Sequence, residues 1–276
     1  MTNIHSTAQV HSKARMGEGV TIGPYTIIGE NVTIGKNTKI SHHVSIIGRT
    51  TLGENNDIFP YASIGTAPQD VSFKGEPTQL VIGSNNIFRE FVTINLGTHK
   101  EHGRTQIGDN NFLMAYCHVA HDCVLGNHII AGNAMQLGGH VRIHNYAALG
   151  GMVGIHHFVT VGQYSFIGGA ARVIRDIPPY MIAEGHPSRV RGINLVGLER
   201  HGFSAEKIKA LRDAHKLIWH SSHTKAEAFK LLEKKKPTPE VKVLIRFMQQ
   251  MQAGHQARAN EAFRKVPARP GRNAEV

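Results

Sequence analysis

The segment His118-Val119-Ala120-His121-Asp122-Cys123 is where residue types in this chain first suggest chemistry. An imidazole beside a carboxylate is a general base with an orienting partner. The carboxylate holds one ring nitrogen, and the other takes a proton near neutral pH. His140 follows in Leu137-Gly138-Gly139-His140, and His156 in Ile155-His156-His157-Phe158. Any one of 19 histidines taken alone is more simply a surface residue. His-x-x-His is also compatible with zinc, although the spacing offers no clear third ligand.

What brings these residues together is a period of six. From Ile4, every sixth residue is apolar: Val10, Met16, Ile22, Ile28, and so on to Ile64. The register resumes at Ile82, Phe88 and Ile94, and again from Ile107 to Val173. The two long runs are apolar at 23 of 23 positions; at this composition chance would give that about once in 10⁹ for a preset register. A period of six suits neither an amphipathic helix nor a sandwich strand. It suits a three-sided parallel coil in which three hexads, 18 residues, close one turn and successive turns stack about 4.8 Å apart. An 18-residue step from His121 ends one residue short of His140, which places the two on nearly the same edge.

The period predicts a parallel β-helix over residues 1–191, with loops extruded at 66–81 and 100–106. Extruded loops on a rigid scaffold tend to carry function. Pro178-Pro179 is expected to end the coil, because proline cannot continue a ladder. Helix signals then fill 192–266: Ser204 as a cap, a capping box at Thr224–Glu227, and Thr238-Pro239 before an apolar stretch. Residues 267–276 are expected to be a disordered tail.

Composition narrows the classes. Two cysteines are too few for a disulfide scaffold. Neither a signal peptide nor a membrane span of about 20 apolar residues is evident, so a cytoplasmic protein without stable membrane insertion is expected. The net charge of +11 lies wholly in the last third, where residues 189–276 hold 19 Lys/Arg against 8 Asp/Glu. That excess suits an acidic partner. A nucleic acid is not expected, since the basic region lacks interleaved stacking aromatics.

The motifs SIGTAPQD, KGEPT, HVAHDC, GGMVGIHHF, DIPPYMIAEGHPS and GINLVGLERHGF are similar to those of the UDP-N-acetylglucosamine O-acyltransferases of bacterial lipid A biosynthesis, over roughly residues 1–260. The resemblance implies a left-handed coil and a homotrimer with sites between subunits. It also implies transfer of a (R)-3-hydroxyacyl group from acyl carrier protein to the sugar 3-hydroxyl, with no metal or organic cofactor. By motif, His121 is the base, Asp122 orients it, and Gly139 gives a backbone N–H to the oxyanion. Asp70, His118, His140, His156 and His157 fall at substrate-binding positions. Asn194 and Arg200 fall where the nucleotide is met, and Gly169 where acyl length is set.

Four positions depart from the family pattern. Ser72 stands where a lysine is frequent, with Lys74 as an alternative cation. Leu96 replaces arginine, His157 replaces glutamine, and Val196 replaces an acidic residue. These leave open N-acylation of a 3-amino sugar. A zinc enzyme of the γ-carbonic-anhydrase type is the alternative from another class.

Overall fold

The computed structural model describes residues 2–253. The expected disordered tail and the last part of the expected helical span lie outside these residues. Twenty-six short strands, from Asn3–Ile4 to Arg172–Val173, pair in parallel and form the three faces of a β-helix. Pairs step by 18 residues, as in Asn3↔Thr21. The step is 30 across the first loop (Asp57↔Ile87) and 25 across the second (Ile87↔Phe112). Twelve and seven residues are therefore extruded, and register returns after each.

The sixth-residue apolar side chains line the axis. Ile28, Ile46, Ile64, Phe88, Ile107, Leu137 and Ile143 are all buried, and only the first coil, which has no coil on one side, leaves Ile4 exposed. The second inward position of each hexad holds small or β-branched residues such as Val20, Thr26 and Val32. It also holds a ladder the period does not foresee, Asn56, Asn86 and Asn111. Each of these carboxamides accepts a hydrogen bond from the backbone N–H one coil further on, at 2.8–3.0 Å.

Both loops rejoin the sheet earlier than the break in periodicity suggests. Gln79, Leu80 and Val81 pair with Arg49, Thr50 and Thr51, so the first loop rejoins the sheet before the apolar register does. The second loop likewise ends at Arg104, which opens the strand Arg104–Ile107. The ladder also outlasts Pro178-Pro179: the strand Met181–Gly185 pairs in parallel with Phe166–Ile167 and turns back through the antiparallel strand Ser188–Ile193. The prolines lie at a corner, where Pro179 crosses Gly162 closely enough that a side chain there would collide with it.

Four helices follow among the described residues: α1 (Leu195–Arg200), α2 (Ala205–Trp219), α3 (Lys225–Lys234) and α4 (Pro239–Gln252). Ser204, Thr224 and Thr238 cap the last three, and Thr224 forms the full capping box with Glu227. Their apolar faces bury Leu198, Leu211, Phe229 and Leu244 against Tyr180 and Met181.

One corner stores a titratable group. Asp176 is 5% exposed; one oxygen accepts the Thr160 N–H at 2.7 Å, and the other has no partner. Burial raises its carboxyl to about 7, against the Thr160 bond. The folded chain thus binds this proton more tightly than the unfolded chain. Its contribution to stability is full below the ordinary carboxyl value and declines as pH rises to about 7. The loss is on the order of 4 kcal/mol. Asp176→Asn should abolish that slope. In urea melts at pH 5 and pH 8, wild type should lose stability relative to the variant; parallel behaviour would refute the assignment.

Candidate active site

The 18-residue pitch builds the site from two adjacent columns on one edge. The first is His121, Gly139 and His157. The second is Asp122, His140 and Phe158, each with positive φ (59°, 63° and 66°). Non-glycine residues rarely adopt this conformation, yet at this corner it turns the chain and aims the side chains outward. His140 is therefore one coil beyond Asp122, and Gly139 is the residue one coil beyond His121.

His121 Nδ1 lies 2.9 Å from Asp122 Oδ2, and both residues are buried. The Thr98 N–H donates to Asp122 Oδ1 (2.8 Å), and the Thr98 hydroxyl donates to Oδ2 (2.5 Å). Burial opposes the Asp122 charge, but the hydrogen bonds from His121 and Thr98 outweigh it and hold the carboxyl below its ordinary value. An ionised Asp122 accepting from His121 Nδ1–H leaves Nε2 as the free base nitrogen. Gly139 makes room for this ring: a Cβ there would lie 2.5 Å from His121 Cε1.

His140 stacks on Phe158 at 4.5 Å, meets His121 edge-on at 5.1 Å, and places Nε2 3.5 Å from Asp122 Oδ2. Its Nδ1 contacts Glu101 at 2.9 Å, and Glu101 also pairs with Arg142. His118 Nδ1 is 2.7 Å from the Thr93 hydroxyl, and burial followed by the nearby His121 lowers its pKa. His156 and His157 meet edge-on at 5.3 Å.

Both loops close over this edge. Asp70 Oδ2 lies 4.0 Å from His121 Nε2 and pairs with Lys100; Oδ1 accepts the N–H and the hydroxyl of Ser72. His99 and Glu76 tie the loops a second time, at 3.0 Å. Lys74 donates its backbone N–H to Glu76, and its ammonium makes no ion pair with Asp70. Leu96 packs inward against Gly48 and is buried.

Two resemblance-based positions have other partners here. The Gly139 N–H donates to His157 Nδ1 at 2.9 Å. Asn194 caps α1, accepting from the Gly197 N–H and donating to the Tyr164 carbonyl. Neither Asn194 nor exposed Arg200 contacts His121, Asp122 or His140; they border the edge where His201 packs on Tyr146 and Tyr164. Gly169 is exposed, and a Cβ there would make an ordinary contact 3.4 Å from the Gly151 carbonyl oxygen.

Thr98, Lys100 and Glu101 were not anticipated. Their loop lies outside the period, and its cluster of ionisable residues was the only available signal. Ligand atoms of His121, Asp122 and His140 lie within 4.8 Å of one another, a set able to hold a metal ion. Cys117 and Cys123 are buried free thiols raised by burial to about 11 and about 12, which makes them poor nucleophiles.

The profile described as bacterial transferase hexapeptide (six repeats) matches residues 1–36. A hexad coil with a buried His–Asp pair at its edge places the chain among the left-handed hexapeptide-repeat acyltransferases. The profile of Udp N-acetylglucosamine O-acyltransferase, Domain 2, matches residues 176–256. The acyl-[acyl-carrier-protein]--UDP-N-acetylglucosamine O-acyltransferase of Halorhodospira halophila is 50% identical over 219 residues, 79% of this chain and 85% of that one. The enzyme of that name from Paraburkholderia phymatum is 45% identical over 92% of this chain and 99% of its own length. The solved UDP-N-acetylglucosamine acyltransferase of Francisella novicida superposes with a TM-score of 0.86 at 37% identity, covering 98% of this chain and all of that one. This chain belongs to the UDP-N-acetylglucosamine O-acyltransferase family. These relatives lend no support to the amino-sugar or carbonic-anhydrase readings.

Proposed function

We propose that this protein transfers a (R)-3-hydroxyacyl group from the thioester of acyl carrier protein to the 3-hydroxyl of UDP-N-acetylglucosamine, opening lipid A biosynthesis in the cytoplasm. The observation that carries the mechanism is His121, fixed through Nδ1 by Asp122, with Nε2 turned toward Asp70 in the mouth formed by the loops. Nε2 takes the proton of the acceptor hydroxyl as its oxygen attacks the thioester carbonyl. The resulting oxyanion is met by the Gly139 N–H, which requires the His157 ring to move aside. Collapse expels the thiolate, which takes the proton back from His121. Asp122 stays ionised and supports the imidazolium. Asp70, His118, His140, His156 and His157 surround the acceptor and the acyl chain.

The working unit is a homotrimer. Asn194 and Arg200 contact none of the three residues at the base within one chain, and a neighbouring copy can bring them there for nucleotide binding. A stack of exposed aromatics suits the subunit contact: Tyr61, Phe91 and Tyr116 follow one another at 4.9 Å, with Tyr25 and His43 above them. The basic C-terminal third docks the acidic carrier protein.

Gly169 leaves the groove open, so a long chain, of about 12–14 carbons or more by resemblance to the family, is preferred, with two missing methylenes costing roughly tenfold at ~0.8 kcal/mol each. Purified protein, UDP-N-acetylglucosamine and a panel of 3-hydroxyacyl carrier proteins, read by mass spectrometry, should give an O-acylated sugar of that length. Gly169→Met should fold normally, since its Cβ has room, and shift the preference to shorter chains. No acylated sugar would overturn the proposal; an unchanged preference in the variant would place the length limit elsewhere.

A further inference from the structure

The acceptor mouth is rich in negative charge. Asp70, Asp122 and Glu101 all lie around His121 and His140, and each carboxyl is held below its ordinary value. For Asp70, burial works against the charge, but the Lys100 and Ser72 hydrogen bonds outweigh it. Two cations offset these carboxylates. Arg142 is engaged by Glu101. The Lys100 ammonium is bonded to Asp70 alone among the described residues, so one of its three donors is used. Its side chain is 28% exposed, with the ammonium at the mouth of the site.

The position of Asp70 makes Lys100 more than a loop clasp. Asp70 Oδ2 lies only 4.0 Å from His121 Nε2, so when one sugar hydroxyl donates to Nε2, a second hydroxyl beside it is within reach of donating to Oδ2. A sugar delivering one hydroxyl to His121 therefore brings a hydroxyl to Asp70 and lies against the Lys100 ammonium. Ser72 already takes Oδ1, so the sugar and Lys100 must share Oδ2. A nucleoside diphosphate sugar also brings two negative charges, which the three carboxylates repel.

We propose that Lys100, from the second loop, is the cation that recognises the acceptor's diphosphate while Asp70 accepts from its sugar hydroxyl. The proposal rests on the acceptor being a nucleoside diphosphate sugar. Lys100 is thus a specificity residue supplied from outside the hexad coil.

The test compares wild type with Lys100→Ala, Lys100→Arg and Lys74→Ala in steady-state kinetics and in equilibrium binding of UDP-N-acetylglucosamine. Lys100→Ala should weaken acceptor binding and raise its KM about 10- to 100-fold, the range of a charge-assisted contact. Its kcat should change less than about threefold, with donor KM unchanged. Lys100→Arg should recover much of the loss, and Lys74→Ala should match wild type. Rising salt should raise the acceptor KM of wild type more than that of Lys100→Ala. An unchanged acceptor affinity, a fall in kcat alone, or a matching defect in Lys74→Ala would overturn the assignment. Binding separates the two readings: if wild type bound the nucleotide sugar, with Lys100→Ala weaker, but acylated nothing, the proposed reaction would fall and the Lys100 assignment would stand.

Discussion

His121→Ala should fold with a near-native melting temperature and transfer acyl groups ~10²–10⁴-fold more slowly. The fold should survive because Asp122, left without its imidazole, still accepts from the Thr98 N–H and hydroxyl. The rate should fall because, among the described residues, no other group matches the geometry: a nitrogen beside the mouth, with its second nitrogen held at 2.9 Å by a buried carboxylate. His140 is close but faces Glu101 and Asp122. The loss should appear in kcat more than in acceptor KM, since the proton moves only in the transition state. A variant keeping over a tenth of the wild-type rate would remove His121 from the role of base.

Gly139→Ala should be nearly as damaging, for a steric reason. The added methyl would lie 2.5 Å from Cε1 and 2.7 Å from Nε2 of His121. The ring cannot yield while Asp122 holds it, so either that bond breaks or the backbone carrying the Gly139 N–H shifts. Removing one oxyanion donor alone costs ~10²–10³ in rate. Because methyl and ring act on one another, His121→Ala with Gly139→Ala should be little slower than His121→Ala alone. Gly154→Ala is the matched control, since nothing lies within 4 Å of a Cβ there. Additive losses in the double variant would mean that Gly139 acts independently of His121.

The coil was legible because its period is strict: the apolar register from Ile22 to Val173 faces the axis and closes a short strand at each hexad except at Ile64 and Ile94, which lie inside theirs. The His–Asp pair was legible because adjacency in sequence makes it local. Loop contacts were not, because nothing in the period says where Lys100, Glu101 or Thr98 returns to the coil. Column arithmetic sharpens what spacing began: His140 stacks one coil beyond Asp122, while Gly139 occupies the slot beyond His121. Asn194 shows the opposite case. Its motif suggests a nucleotide contact, but the position also opens a helix, and in this chain its amide caps that helix.

The return of register after each loop has an evolutionary consequence. A single-residue deletion between His121 and Gly139 would bring His140 into the glycine slot and rotate every later inward side chain out of the axis. Length can therefore vary only in whole coils or at the two extrusions, where twelve and seven residues leave the phase intact. Both extrusions border the mouth and supply Asp70, Thr98, Lys100 and Glu101. The places where the chain can be edited without unwinding the prism are thus the places that meet the acceptor, so substrate choice can drift while the scaffold stays fixed.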